Sequence, residues 1–272
     1  MAIKWVDRVA THPGRVQLTP VVGQTNIYDM ERVDEPTVAG TPINAANLNA
    51  MQKNMGLDAN MTVYVAVSGS DATGNGSSTA PYQTITKALS VIPKNLNGFD
   101  VTIVIGTGTY NEDVYIEKTF GGVIYLSGAE DAQIFIKSLR VFYGSTVEIT
   151  VPMTVTGSIN SNAVYVLNAT LIVGTAMTIT GAASYGMFAN RNAYCRFVTL
   201  SVSNSTIGAI TSTNFSEVSV INSSGSNNTV GIRTSDGGSI VYINNTLAAT
   251  TLYLSQTGGR IYSGSQTSIP NY

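Results

Sequence analysis

The fold is decided by three stretches, Tyr185-Gly-Met-Phe-Ala-Asn-Arg-Asn192, Ile207-Gly-Ala-Ile-Thr-Ser-Thr-Asn214 and Val230-Gly-Ile-Arg-Thr-Ser-Asp-Gly237. Each opens on an apolar residue followed by glycine, and the glycines 186, 208 and 231 are spaced 22 and 23 apart. A turn former stands six places after each glycine (Asn192, Asn214, Gly237) and a β-branched residue twelve places after (Val198, Val220, Ile243). A period near 22 in β-prone sequence predicts one coil of a solenoid, in which each copy buries its neighbour's apolar face.

Working outward, Val141-Phe-Tyr143, Val147-Glu-Ile149, Val155, Val164-Tyr-Val-Leu167 and Leu171-Ile-Val173 extend the array backwards, and Leu252-Tyr-Leu254 extends it forwards. The chain is read in three zones: 1–60, 61–138 and 139–272. From Val101 onward, about seven or eight coils are expected, a rod on the order of 35–40 Å long at about 4.8 Å per coil. Charged residues make up only 11% of the 272, against roughly 25% in ordinary soluble domains. Ser, Thr, Asn and Gly stand in their place and suit exposed turns and polar strand faces.

The formal net charge is -2, which argues against a nucleic-acid partner. No run of apolar residues is long enough for a membrane span, so no membrane insertion is expected. Met1 to Ala10 contains Lys4, Asp7 and Arg8 but no apolar leader core, so synthesis in a cytoplasm without a secretory leader is expected. The single Cys195 excludes an intrachain disulfide and reads as a small buried strand residue.

In the second zone, Val63, Val65 and Val67 alternate as in a strand, and Pro81 to Ile92 has helical apolar spacing through Ile85, Ala88, Leu89 and Ile92. Between them lies the Gly/Ser-rich segment 68–79, read as a flexible surface loop in preference to a calcium site at Asp71 and Asn75. Short strands follow at Val101–Ile105, Val114–Ile116, Val123–Leu126 and Ile134–Ile136. The run Tyr64-Val-Ala-Val-Ser-Gly-Ser-Asp71, Gly74-Asn-Gly76, Ala80-Pro-Tyr-Gln-Thr-Ile-Thr-Lys-Ala-Leu89 and Gly108-Thr-Tyr110 resembles the opening of proteins with the pectin-lyase-like right-handed β-helix. The resemblance covers about 50 residues. It implies an all-β fold, a right-handed parallel β-helix whose N-terminal end is plugged by the short helix. An open solenoid end exposes apolar rungs and unpaired backbone, so a cap is physically expected. The fold hosts lyases, hydrolases and inert fibres alike, so it names no activity.

The first zone carries four of the eight prolines and reads as an extended arm. Its one regular element is predicted at Pro42 to Met55, with Thr41 as N-cap and Gly56 as terminator. Leu48, Met51 and Met55 form a narrow apolar stripe suited to packing against other copies, a carrier or the chain's own β-domain. Trp5-Val-Asp-Arg-Val9, His12-Pro-Gly-Arg15, Tyr28-Asp-Met-Glu-Arg-Val-Asp-Glu-Pro36 and Gly40-Thr-Pro-Ile-Asn-Ala-Ala-Asn-Leu48 resemble the start of tail-associated proteins of phages and prophages from Gram-positive bacteria. That resemblance implies an attachment arm (Trp5, Asp7, Arg8, Tyr28, Arg32, Asp34) joining the chain to phage tail or baseplate proteins, a homotrimeric fibre, and a place in the virion as tail fibre or receptor-binding appendage.

Catalysis has little to draw on. From Leu139 onward the only acids are Glu148, Glu217 and Asp236. Glu217 stands nine places after Gly208 and Asp236 five after Gly231, so these two are assigned to different rung positions and faces. A glycosidase needs two carboxylates roughly 5–9.5 Å apart. Glu112, Asp113, Glu117, Glu130 and Asp131 read as solvated turn charges. The one histidine, His12, lies in the arm. No enzyme activity, cofactor or metal is therefore expected, with two rivals kept open: a purely structural fibre, and a polysaccharide depolymerase whose carboxylates meet between subunits. Tyr253, Arg260, Tyr262 and Tyr272 are the candidate contacts to a bacterial surface glycan or protein, aromatic faces stacking on sugars and Arg pairing with acids; the tyrosines also suit a cover for the last coil.

Overall fold

The computed structural model describes residues 9–10, 16–20, 22–23, 28–32, 36–38, 56–129, 131–157 and 162–264. They fall in two compact units, Met1–Met55 and Gly56–Tyr272. The first unit holds more than an extended arm. Val16–Pro20 pairs antiparallel with Tyr28–Arg32, and Val9–Ala10 pairs antiparallel with Pro36–Val38. Its two described prolines sit where a missing N–H is tolerated, Pro36 opening one strand and Pro20 closing another. Of the arm residues, Tyr28 and Arg32 lie in the strand Tyr28–Arg32. Trp5, Asp7, Arg8 and Asp34 fall outside the described residues, as does the predicted helix with Leu48, Met51 and Met55.

The second unit is a parallel β-solenoid of about seven turns. Each turn contributes strands to three stacks. The first stack runs through Met61–Val65, Val101–Ile105, Ile124–Ser127, Thr146–Ile149 and on to Arg260–Ser263. Its pairs Val101↔Ile124, Thr146↔Thr170, Glu217↔Ser239 and Ser239↔Arg260 give a coil of 21–24 residues rather than a constant 22. The second stack begins at Gly108 and the third at Val114, both within the strand Gly108–Glu117. One later strand, Glu217–Thr234, bends around two corners and serves all three stacks.

Inward positions form apolar columns. On the first stack Val63, Ile103, Leu126, Ile149, Val173, Phe197 and Val220 follow one another, all buried. The varying coil length explains why the sequence motif slips against the structure. Tyr185 pairs with Gly208 and Ile210 with Ile232, so Gly186 and Gly231 flank Ala209 while Gly208 stands one place earlier. Phe197, not Val198, is level with Val220. The turn formers Asn192, Asn214 and Gly237 do share a corner, each with positive φ.

The cap helix covers Ile85–Val91, shorter than Pro81 to Ile92. Tyr82 bridges to Val65 instead, so helix begins only after Thr84. Thr84 Oγ1 accepts from the Lys87 N–H at 3.0 Å and donates to Asp71 at 2.7 Å. Asp71 also accepts from the N–H groups of Gln83 and Thr84. Glu112 accepts from the N–H groups of Ile85 and Thr86, both at 2.9 Å. Orphan donors of the first helical turn are thus satisfied by acids from elsewhere in the chain. Segment 68–79 is tied down by these bonds and by the Gly74 N–H to Ser70 carbonyl bond at 2.9 Å, instead of hanging free.

Burial pushes the Asp71 carboxyl up, but the Thr84 and Gln83 hydrogen bonds and the nearby Lys87 charge outweigh it and hold it below its ordinary value. A depressed folded value means that the stabilisation is present above the unfolded value and is lost as pH falls through the folded one. Asp71→Ala is expected to lower stability by about 1–2 kcal/mol near neutral pH and to flatten the acid limb of a stability-versus-pH curve. Urea titrations at several pH values check this; an unchanged midpoint at pH 7 would sink the capping role.

Cys195 follows Leu171 and precedes Val218 in an inward column, wholly buried and free. Burial pushes its thiol well above the ordinary range. Thiol reagents are expected to label it only as fast as the surrounding coils open. Labelling in the native protein at the rate of a free thiol would contradict this placement.

Candidate functional site

Three surface features concentrate chemistry on the solenoid. The first is a column on the outer face of the third stack: Tyr115, Arg140, Tyr165, Phe188, Thr211, Arg233 and Leu254, one per coil, of which Arg140 and Thr211 are themselves buried. At about 4.8 Å per coil it extends about 29 Å. Alternation along each strand sends every second residue outward, and parallel pairing in register stacks those residues on one another. The rings touch in sequence. Phe142 meets Tyr165 edge-on at 5.1 Å, Tyr165 lies 5.2 Å from Phe188, and Phe188 stacks on Tyr185 at 4.6 Å. Arginines close both ends, Arg140 over Tyr115 at 5.6 Å and Arg233 over Tyr185 at 5.9 Å. Arg140 Nε donates to the Tyr115 hydroxyl and Asn190 donates to that of Tyr165. The result is an aromatic strip with polar edges.

The second feature is a cleft of about 360 Å³ between the cap helix and the start of that strip, lined by Thr86, Leu89, Ser90, Lys94, Asp113, Tyr115 and Glu117. Asp113 and Glu117 project outward from one strand, Asp113 accepting from the Ser138 hydroxyl. Four residues of strand set their Cα atoms about 13 Å apart. Glu112, by contrast, is a helix-capping group and not a solvated turn charge.

The third feature is a corner pocket of about 550 Å³ between the third and first stacks, lined by Asn214, Phe215, Asp236, Gly237, Thr257, Gly258 and Arg260. In comparisons with protein-family models, curated proteins and solved structures, nothing matches this chain. What the surface does must therefore be argued from its own groups.

The predicted contact residues separate. Tyr253 follows Ile232 on the third stack, an inward position. Its ring stacks on Tyr242 at 5.6 Å, with the two hydroxyls 2.8 Å apart, so this pair covers the interior of the last described coil. Burial first, and the Tyr253 hydroxyl second, push the Tyr242 phenol up. Tyr262 projects from the first stack beyond Val241. Arg260 alone joins a pocket, and Tyr272 lies outside the described residues.

The array acids are also placed. Glu148 sits between Tyr125 and Ile172 on the first stack. Glu217 is three coils further on, between Tyr194 and Ser239, about 14 Å along the rod and beyond the reach of a glycosidase pair. Asp236 and Glu217 meet the same corner, closer than their spacing from the glycines implies. The strand following Asp236 begins at Ser239, the partner of Glu217. Glu217 does not line the pocket. Among the described residues no group of three or more His, Cys, Asp or Glu gathers as a metal site. No described helix is long and apolar enough to cross a membrane.

The strip was missed in the sequence because its members carry different letters. Arg140, Tyr165, Phe188, Thr211 and Arg233 recur at intervals of 22–25, the coil length itself. That spacing is the signal that finds them.

Proposed function

We propose that this chain is a non-catalytic surface-binding rod of a phage or prophage particle from a Gram-positive host, mounted through its N-terminal unit as a homotrimer and presenting the third stack to a bacterial surface glycan. The observation that carries the reading is the aromatic strip with its two arginines. A strand face that only had to be wet would carry Thr and Ser, as the second stack does through Thr154, Thr178, Ser201, Ser224 and Thr246. Aromatic faces offer rigid apolar area to sugar rings at low entropic cost, and Arg supplies donors beside them. The arm's resemblance to phage attachment segments supplies the setting.

Purified full-length protein is expected to adsorb to host cells and to compete with phage infection while leaving wall polysaccharide intact. The double variant Tyr165→Thr, Phe188→Thr keeps strand-forming side chains and is expected to reduce adsorption about tenfold or more with an unchanged far-UV spectrum. Equal adsorption by the variant would remove the strip from the reading.

The cleft with Asp113, Glu117 and Lys94 favours a second reading, a depolymerase completed by a neighbouring subunit. Release of reducing ends from host polysaccharide, lost in Glu117→Gln, would establish it in place of the first.

A further inference from the structure

In five coils the corner between the third and first stacks is built from two consecutive left-handed residues. The pairs are Tyr143–Gly144, Arg191–Asn192, Asn214–Phe215, Asp236–Gly237 and Thr257–Gly258, all at positive φ. The corners at Lys118 and Asn168 carry a single left-handed residue. In the five pairs the second place is filled by Gly or Asn in all but one, the residues that adopt this region at least cost. Phe215 is the exception, at φ 60. A bulky side chain is strained there. Nor does burial compensate, since Phe215 is 76% exposed. The ring rests on Gly237 and leaves most of its surface to solvent, while glycine at this place would relieve the strain. Retention of the ring points to a ligand.

The surroundings name the ligand. The Phe215 ring lies against Gly237 of the next coil, where an added Cβ would stand 2.7 Å from two ring carbons. Around this platform stand Asp236, Asn214 and Arg260. Asp236 Oδ2 accepts from Thr213 Oγ1 at 3.2 Å, which aims the carboxylate and leaves Oδ1 for a ligand. Asn214 Nδ2 donates to Asn190 Oδ1 at 2.7 Å, leaving its own oxygen as an acceptor. Arg260 supplies donors. One carboxylate and one guanidinium cancel, so neither a polyanion nor a cation is matched. An uncharged ligand with an apolar C–H face and adjacent hydroxyls, able both to donate and to accept, fits all four groups.

We infer that this corner is a binding site for a neutral pyranose, with the sugar's C–H face on Phe215, hydroxyls donating to Asp236 and Asn214, and Arg260 donating to a hydroxyl or ring oxygen. The site is separate from the aromatic strip and does not require the strip to bind anything. It asks only for a surface where shallow, exposed sugar contacts are useful.

The test is saturation-transfer NMR on the full-length protein with methyl glucoside, methyl galactoside, methyl mannoside and N-acetylglucosamine, each at about 5 mM, in the range of single-sugar affinities. At least one sugar is expected to show saturation concentrated on the C–H protons of one ring face. Phe215→Gly should reduce that signal about tenfold, and Asp236→Asn or Arg260→Ala severalfold. Because glycine suits the left-handed corner, Phe215→Gly should melt no lower than the parent, which a packing role would not permit. No saturation with any of the four sugars, undiminished saturation in Phe215→Gly, or a lower melting temperature and altered oligomeric state in that variant would each overturn the site. Cell adsorption of the same proteins separates the two proposals. Adsorption without pyranoside saturation removes the corner site and leaves the surface-binding reading, whereas saturation without adsorption does the reverse.

Discussion

Replacing Gly225 by alanine is expected to destabilise the solenoid by about 3–5 kcal/mol. Gly225 follows Val202 in the inward column of the second stack, at φ 130. An added Cβ would fall 1.8 Å from the Val202 carbonyl oxygen and 2.5 Å from its carbon, and backbone cannot be pushed aside as a flexible side chain can. The same carbonyl accepts from Asn228 Nδ2 at 2.8 Å, while Asn228 Oδ1 accepts from the Ser205 N–H. Asn228 is almost wholly buried, so displacing Val202 leaves a buried amide unsatisfied as well as straining the chain. Gly144 is the control, with positive φ but nothing within 4 Å of an added Cβ. Gly144→Ala should cost only about 1–2 kcal/mol. Urea unfolding of the two variants decides the matter; if Gly225→Ala were no worse than Gly144→Ala, the crowding at Val202 would have no energetic meaning.

Phe197→Ala is expected to cost about 3–5 kcal/mol. Its ring is wholly buried between Val173 and Val220, two smaller residues that cannot close the space it would leave. Phe197→Leu should recover most of that loss. A solenoid is held coil to coil, so a local cavity weakens two adjacent interfaces and leaves distant ones intact. Labelling of Cys195, two residues away, should therefore accelerate at denaturant concentrations where the bulk circular dichroism is still native. If labelling and circular dichroism moved together in Phe197→Ala, the solenoid would be opening as one unit.

The solenoid was legible because its physics is periodic. Alternating Val101-Thr-Ile-Val-Ile105 reads as a strand wherever it sits, and the Asn and Gly corners are demanded by positive φ. Asn side chains also pair between coils, Asn227 with Asn204 and Asn244 with Asn222, as stacked turn positions predict. The register was less legible, since corners absorb one residue more or less without leaving a mark in the letters. The antiparallel pairs of the first unit were hidden because Val16–Pro20 and Tyr28–Arg32 are short and stand among the prolines that argue for an extended arm. Arg260 reads from the sequence as a candidate surface contact. Its partners Phe215 and Asp236 lie 45 and 24 residues earlier and meet it only through coiling. The aromatic strip escaped because stacking in register requires a position, not a residue type.

The coil spacing carries a kinetic consequence. Partners in neighbouring coils of the first stack, from Val101 onward, stand 21–24 residues apart, so every added coil closes a loop of nearly the same length. Loop-closure entropy then depends little on how far along the rod folding has progressed. The relative contact order of such an array falls as coils are added, against the usual trend for β proteins. The cap helix, braced by Asp71 and Glu112, offers a local starting point. From there the chain can wind turn upon turn, each finished rung serving as template for the next. Lengthening the rod by one coil would then change the time to fold by one more step, leaving the height of the first barrier untouched.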